Sequence, residues 1–229
     1  MTDDGDVDRT ADDRAAETER RAIEQRLASG LPFRPRTARD FEESYAGTPP
    51  WDIGRPQPGF VELAGAGAVR GRVLDSGCGT GEHTLMAASI GCDATGIDLA
   101  VSAIDQARAK AREREVGARF LVHDALDAAS LGEQFDTALD SGLFHVFGDD
   151  DRVRYVDALR RVLVPGGQVL LMCFSDRQPG DWGPRRVSQD ELRASFSGGW
   201  QVESIDAAEF DVNLEPGRAR AWRAVITRI

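Results

Sequence analysis

The stretch Val73-Leu74-Asp75-Ser76-Gly77-Cys78-Gly79-Thr80-Gly81-Glu82 decides the fold. It begins as an apolar strand and runs through three glycines into a helix, a turn whose missing Cβ atoms let the backbone approach a ligand. The glycine spacing is GxGxG, whereas GxGxxG is the spacing that places a pyrophosphate at a helix N-terminus. Asp75, two residues before the first glycine, favours a ligand with an ammonium or sulfonium group. The alternative interpretation is a tight turn that binds nothing.

Outward from this turn, short β-branched runs alternate with helical stretches, a pattern typical of a parallel sheet with crossover helices. The sequence predicts strands over residues 72–76, 93–98, 119–123, 136–141 and 168–174. The crossover helix before the fifth strand ends at Pro165-Gly166-Gly167, and one of its faces carries Val153, Val156, Leu159 and Leu163. Residues 200–210 and 218–229 are two extended runs joined by a turn, which predicts an antiparallel hairpin added to the sheet.

Four successive predicted strands deliver an acidic residue at or just after their carboxyl ends. Asp98 ends the second strand, about 20 residues after the glycine turn, where a carboxylate accepts hydrogen bonds from ribose hydroxyls. Asp124 follows the third strand, where it can accept from the exocyclic amine of a purine, and Asp140 ends the fourth. Each acid alone is more often a helix cap or a surface turn. Together they indicate a binding site, because open α/β sheets bind ligands at this edge.

The composition excludes several classes of partner. The chain of 229 residues has a formal net charge of −11, which argues against a nucleic-acid partner. No apolar run reaches the ~18 residues of a membrane span, and the acidic start lacks the features of a secretory signal, so we expect a cytoplasmic protein. The three histidines lack ligand spacing, which predicts no metal site. Lys110, the only lysine, is expected on a solvated helix face.

Changes in composition predict three regions. Residues 1–30 form an acidic N-terminal arm, partly disordered because it has few large apolar residues. Residues 31–58 combine six prolines with aromatic side chains, which favours an ordered lid or cap. Residues 59–229 form the main domain.

Several of these motifs resemble one enzyme family. Asp75 to Gly81, the segment Gly96-Ile97-Asp98-Leu99-Ala100, Asp124, and the step Leu163-Val164-Pro165-Gly166-Gly167 resemble the class I S-adenosylmethionine-dependent methyltransferases. The resemblance covers about residues 50–229. It implies an α/β fold with a Rossmann-like seven-stranded sheet, mostly parallel with an antiparallel last strand, with helices on both faces and an N-terminal lid. It also implies S-adenosyl-L-methionine as the cofactor.

The same resemblance implies how the cofactor is held. Gly77, Gly79 and Gly81 would line its methionine part, and Asp75 would hold the amino end directly or through water. Asp98, with Leu99 beside it, would bind the ribose. The adenine would lie against Asp124 and Ala125. We also place Asp140 in this site.

Two segments resemble the thiol and halide methyltransferases related to thiopurine methyltransferase. Pro50-Trp51-Asp52-Ile53-Gly54-Arg55-Pro56-Gln57-Pro58 is similar to their WDxGxxxP segment, which implies that Trp51 lies against the cofactor. Trp182-Gly183-Pro184-Arg185-Arg186-Val187-Ser188 resembles their GGPPxxVS loop, although arginine replaces the second proline.

The residues that would bind the methyl acceptor are sparser. His145, just past the fourth strand, is a candidate general base, the alternative being an imidazole packed among phenylalanines and bonded to backbone. Tyr45, Phe144 and Trp182 are predicted to line an aromatic pocket. Arg185 is predicted to meet an anionic acceptor.

We therefore predict an enzyme that transfers a methyl group from S-adenosylmethionine to a small molecule, most readily a thiol or other soft nucleophile. One alternative is an O- or N-methyltransferase of a phenolic or natural-product-like molecule, with His145 as base. More distant alternatives are an NAD-dependent oxidoreductase and a cofactor-binding protein without catalysis. The sequence predicts no oligomeric state.

Overall fold

The computed structural model describes residues 37–180 and 182–229. The predicted arm of residues 1–30 and the first six residues of the predicted lid lie outside the described residues.

A seven-stranded sheet organises the described chain, in the order β3-β2-β1-β4-β5-β7-β6. Neighbours among the first five strands are parallel, whereas β7 runs antiparallel to both β5 and β6. The strands are β1 Arg72–Ser76, β2 Asp93–Asp98, β3 Arg119–Val122, β4 Phe135–Ser141, β5 Leu163–Phe174, β6 Trp200–Asp211 and β7 Arg218–Arg228. The predicted mixed sheet with its terminal hairpin is confirmed.

The described residues also form six α-helices, the first two of them before β1, and two 3₁₀ turns. The helices are α1 Ala38–Ser44, α2 Pro58–Gly65, α3 Glu82–Ser89, α4 Val101–Glu113, α5 Asp149–Val162 and α6 Gln189–Ser195. The 3₁₀ turns are Ala125–Leu131, after β3, and Phe144–Val146, after β4.

Apolar residues cover both faces of the sheet because side chains alternate along each strand. Val73 packs on one face with Phe60 of α2, and Leu74 packs on the other with Leu159 of α5. The core therefore lies in two layers, and the carboxyl ends of the parallel strands are left for a site.

The crossover before β5 differs from the sequence prediction at both of its ends. Val153, expected on the buried face of α5, is 72% exposed, because the helix turns Tyr155, Val156 and Leu159 toward the core instead. The strand begins at Leu163, five residues earlier than predicted. The pairing of β5 with β4 is irregular here, so the proline and glycines form a bulge at the start of the strand.

The predicted lid contains a helix rather than irregular structure alone. Thr37 caps α1 through a reciprocal bond with Asp40. Glu42 of α1 accepts from the backbone N–H of Ser102, 3.3 Å away at the start of α4. The lid therefore contacts the domain at the helix that follows β2.

We expect Gly81→Ala to destabilise the fold more than a matched change at Gly91. Both glycines have positive φ, +87° and +93°, but only a Cβ at position 81 meets other atoms, 2.7 Å from the Phe120 ring. Gly91→Ala should lower the free energy of unfolding by about 1–2 kcal/mol for the left-handed backbone. Gly81→Ala should lose roughly 2–5 kcal/mol because overpacking adds to that strain. Urea denaturation measures both, and equal losses would contradict the packing part of the argument.

Candidate functional site

The carboxyl ends of β1, β2 and β3 bring the glycine turn and the predicted acids to one edge. Ser76 at the end of β1 lies opposite Ile97 of β2, and Asp98 lies opposite Val122 of β3. The backbone N–H of Gly79 donates to a carboxylate oxygen of Asp98 at 2.9 Å. The predicted neighbourhood of loop and acid is therefore present in the structure.

Gly79 has φ +52° and lies close to the lid. A Cβ at this position would lie 2.5 Å from the hydroxyl oxygen of Tyr45. Gly77 and Gly81, the other two glycines of the turn, also have positive φ. The turn therefore needs glycine both for its backbone conformation and for the approach of the lid.

Asp75 is only 1% exposed and has one orphaned oxygen. Its Oδ2 accepts from the Thr84 hydroxyl at 2.6 Å, while Oδ1 is buried without a hydrogen-bond partner in the described chain. Burial raises the pKa of this carboxyl to about 7. A buried acceptor of this kind is expensive to leave unpaired, which fits a donor supplied by a ligand.

Asp98 is tied to backbone through both oxygens. Besides Gly79, it accepts from the N–H of Ala100 at 2.9 Å. A carboxylate has capacity for about four hydrogen bonds, so Asp98 keeps room for a ligand hydroxyl. Leu99 beside it is exposed, and it offers an apolar surface next to the carboxylate.

Asp124 and Asp140 have structural contacts of their own. Asp124 caps the 3₁₀ turn that begins at Ala125, with Oδ1 accepting from Leu126 N–H at 2.9 Å. Asp140 is fully buried, and its oxygens accept from the N–H groups of Leu143 and Phe144 and from the Tyr155 hydroxyl at 2.9 Å. Both oxygens of Asp140 thus have protein donors, which favours a role in shaping the turn after β4. A direct cofactor contact for either acid stays a prediction.

Trp51 and Tyr45 form an aromatic pair over the glycine turn. The Trp51 Nε1–H donates to the Tyr45 hydroxyl at 3.0 Å, and the two rings meet edge to face with centroids 6.2 Å apart. Trp51 is 40% exposed. Tyr45, predicted for the acceptor pocket, therefore lies against Gly79 on the side of the glycine turn.

Lys110 corrects the prediction of a solvated lysine. Its Nζ donates to the Thr80 hydroxyl at 2.7 Å and to buried Glu82 at 2.8 Å. Thr80 in turn donates to Asp52 of the lid at 3.0 Å. The lysine lies on α4, 30 residues from the turn in sequence, so neither spacing nor periodicity indicated this contact.

His145 is held by the neighbouring strand. Its Nδ1 accepts from the backbone N–H of Phe174, the last residue of β5, at 3.0 Å. Its ring lies edge to face against Phe174 and Phe210, with centroids 5.2 and 6.2 Å away. Burial, reinforced by the charges of Arg152 and Arg186, lowers its pKa to about 3. These contacts match the alternative interpretation, a packed imidazole bonded to backbone.

The other residues predicted to bind the methyl acceptor lie in different surroundings and do not form one pocket. Phe144 is fully buried against Phe196, so the structure does not place it on an open pocket. Arg185 pairs with Asp149 and with Glu191, the latter at 2.6 Å, which satisfies its charge within the protein. Trp182 packs edge to face on Phe174, with centroids 5.6 Å apart, and Phe174 is also the ring that contacts His145.

Phe174 and Phe210 were missed by the sequence analysis. They stack at 5.7 Å between centroids and, with His145 and Trp182, form an aromatic cluster at the ends of β5 and β6. Phe174 had a signal, because it ends a strand at the ligand-binding edge. No sequence pattern indicated Phe210, because its position depends on how the β6–β7 hairpin packs against the sheet.

Comparisons with known proteins agree with this geometry. A family model described as a methyltransferase domain matches residues 73–167. The chain is 36% identical over 184 residues to the 2-heptyl-1-hydroxyquinolin-4(1H)-one methyltransferase of Mycobacteroides abscessus, covering 76% of this chain and 81% of that protein. The chain belongs to the class I S-adenosylmethionine-dependent methyltransferases.

This methyltransferase is also similar to two proteins whose descriptions mention sulfur chemistry. It is 28% identical to a probable thiol methyltransferase 2 of Arabidopsis thaliana, over 80% of this chain and 83% of that protein. It is 40% identical to a solved structure from work on the conversion of a disulfide bond into a thioacetal group during echinomycin biosynthesis. That structure superposes with a TM-score of 0.73 and covers 82% of this chain and 88% of its own.

The cofactor of this methyltransferase is S-adenosyl-L-methionine, and the site fits it. The orphaned Asp75 oxygen suits an ammonium group, Asp98 suits hydroxyls, and exposed Leu99 suits an apolar ring or sugar face. Within residues 37–180 and 182–229, no group of three His, Cys, Asp or Glu residues is arranged to hold a metal ion. No helix in the same part of the chain is long and apolar enough to cross a membrane.

We expect Asp98→Ala to weaken S-adenosylmethionine binding by at least about tenfold, which is about 1.4 kcal/mol. The change removes a ligand acceptor and also frees the N–H of Gly79. Asp93→Ala, at the exposed opposite end of the same strand, is the matched control and should leave affinity unchanged. Calorimetric titration gives both dissociation constants. An unchanged affinity in Asp98→Ala would remove this residue from the site.

Cofactor affinity should also depend on the ionisation of Asp75. Its pKa of about 7 is raised by burial, and only the ionised form attracts an ammonium group, so affinity should be present above this pKa and lost below it. From about pH 7.5 to about pH 5.5 we expect the affinity to fall by roughly tenfold or more. Asp75→Asn should bind weakly at every pH in this range. If the wild-type protein and Asp75→Asn show the same pH dependence of cofactor affinity, a group other than Asp75 causes that dependence.

Proposed function

We propose that this methyltransferase acts on a small molecule whose nucleophilic atom needs no base from the protein, with the sulfur of a thiol or related group as first choice. The observation that carries the proposal is the bond from Phe174 N–H to His145 Nδ1. A neutral imidazole that accepts at Nδ1 carries its proton on Nε2 and has no free lone pair for an acceptor proton. His145 is the only candidate base that the sequence offered.

We propose that the cofactor is held by the residues at the carboxyl ends of the first three strands and by the lid. They are Trp51, Asp75, Gly77, Gly79, Gly81, Asp98, Leu99, Asp124 and Ala125. When bound, S-adenosylmethionine supplies a methyl group on a sulfonium, which a nucleophile displaces in line. The protein's part is to orient the acceptor and to exclude water, and such positioning supplies on the order of 7–11 kcal/mol.

A thiol fits a site without a base. Its pKa near ~8.5 leaves a few per cent of thiolate at neutral pH, whereas a phenol near pKa ~10 leaves far less. The two relatives whose descriptions involve sulfur support this choice. Aromatic Phe174, Phe210 and Trp182 offer a soft, apolar surface beside the strand ends.

A second candidate acceptor is an acidic hydroxyl on a heterocycle. The relative that methylates a hydroxyquinolone favours it. A hydroxyl that ionises near neutral pH also needs no protein base, so this candidate is compatible with the contacts of His145. It keeps the O-methyltransferase alternative that the sequence predicts, with an acceptor that ionises without His145 as base.

The experiment is a labelled-methyl assay with two aromatic thiols of different pKa, followed across pH. We expect kcat/KM to rise with pH and to level off at the pKa of each thiol, because the thiolate concentration sets the rate. Two acidic N-hydroxy heterocycles test the second candidate in the same way. The assay keeps S-adenosylmethionine saturating at every pH, so that the ionisation of Asp75 does not limit the rate. A midpoint that then stays at one pH for all acceptors would show that an ionising group of the enzyme acts as base and would overturn the proposal.

A further inference from the structure

The hydrogen bond at Nδ1 of His145 fixes the direction of the other ring nitrogen, Nε2. Because Nδ1 accepts from Phe174 N–H at 3.0 Å, the neutral ring carries hydrogen on Nε2 and presents a donor there. The rings of Phe174 and Phe210 border the imidazole and restrict its rotation. Nε2–H is therefore a fixed donor at the end of β4 and β5.

This donor has no partner among the described residues. His145 is 6% exposed, and within residues 37–180 and 182–229 its ring makes one hydrogen bond, at Nδ1. Nε2 is not one of the buried side-chain atoms that lack a partner, so this donor is open to a ligand rather than sealed in the core. A Cβ added to Gly142, the residue after β4, would lie 3.1 Å from Cε1 and 3.3 Å from Nε2 of His145. The glycine therefore keeps the space beside Nε2 open, at the edge of the sheet where ligands bind.

The charges around His145 are positive. Arg152 and Arg186 both oppose protonation of the ring, which keeps it a neutral donor. Arg152 is itself 5% exposed, and its Nε and Nη2 have no hydrogen-bond partner in the described chain. Its carboxylate neighbour, Glu191, is 3.6 Å from Nη1. A partial or full negative charge on a ligand atom is favoured in such a field.

We propose that His145 Nε2–H, beside Gly142, forms a subsite that binds an oxygen atom of the methyl acceptor. This inference rests on the proposed function and narrows its substrate class. The preferred acceptors carry a carbonyl or anionic oxygen next to the atom that receives the methyl group. His145 then selects and positions the acceptor and transfers no proton.

The test compares thiophenol with its ortho-acetyl derivative, which differ by a carbonyl beside the sulfur. We measure kcat/KM for both, and their dissociation constants with S-adenosylhomocysteine bound. In the wild-type protein the ortho-acetyl compound should be favoured by about fivefold to tenfold. His145→Leu should abolish this preference in both measurements. His145→Gln should retain part of it, because its amide can accept from Phe174 N–H and donate with its nitrogen, but it cannot act as a base.

The matched control is His83→Leu. His83 is the other buried histidine that accepts a backbone N–H, from Gln57 at 3.0 Å, but it lies on α3 and its ring packs on Phe60. It should leave the ratio between the two thiols unchanged. Melting temperature and S-adenosylhomocysteine affinity show whether each variant is folded.

The outcomes separate the subsite from the proposed function. A preference that survives in folded His145→Leu, or a wild-type protein that binds neither compound, would overturn the subsite. If the ortho-acetyl preference is lost in His145→Gln as well as in His145→Leu, and the pH profile of kcat/KM changes, His145 acts as a base. That result would also overturn the subsite. If the wild-type protein methylates neither thiol but binds the ortho-acetyl compound in a manner that depends on His145, the sulfur proposal fails and the subsite stands.

Discussion

The hydrogen bond from Gly79 N–H to the Asp98 carboxylate is the interaction on which the site depends. It joins the turn after β1 to the end of β2 at 2.9 Å. With the turn held there, Gly79 takes a left-handed conformation that lets the Tyr45 hydroxyl approach the backbone. A side chain at position 79 would push the lid away. The ligand-binding edge is thus shaped by two residues 19 positions apart that parallel pairing brings together.

The lid is fixed to the domain on two sides. On one side Asp52 accepts from Thr80, which is bonded to Lys110. On the other side Asn213, in the turn between β6 and β7, donates to the carbonyl of Asp52 at 2.6 Å. Gln57, in the same segment as Trp51, exchanges two hydrogen bonds with the backbone of Asp211. The terminal hairpin therefore completes the sheet and also anchors the segment that packs against the glycine turn.

The fold was predictable from sequence because its signals are local. The glycine spacing, the acids at strand ends and the alternation of strands with helices each lie within a short window, and the structure confirms the sheet that they predict. The contacts of Lys110 and Phe210 were not predictable, because each depends on elements far apart in the chain. Arg185 shows the same limit, since a sequence shows its charge but not the two carboxylates that satisfy it. Roles of the site residues toward the cofactor stay predictions.

The charged groups along this edge of the sheet are separated by sign, and under the proposed function this separation orients two reactants. Buried acids, Asp75 and Asp98, lie at the ends of β1 and β2, where a cationic cofactor is attracted. Arg152 and Arg186 lie beyond β4, next to His145, where a negative atom is favoured. Under the proposed function, an electron-rich acceptor at the arginine end would face a cofactor at the acidic end, which is the arrangement that an in-line transfer requires.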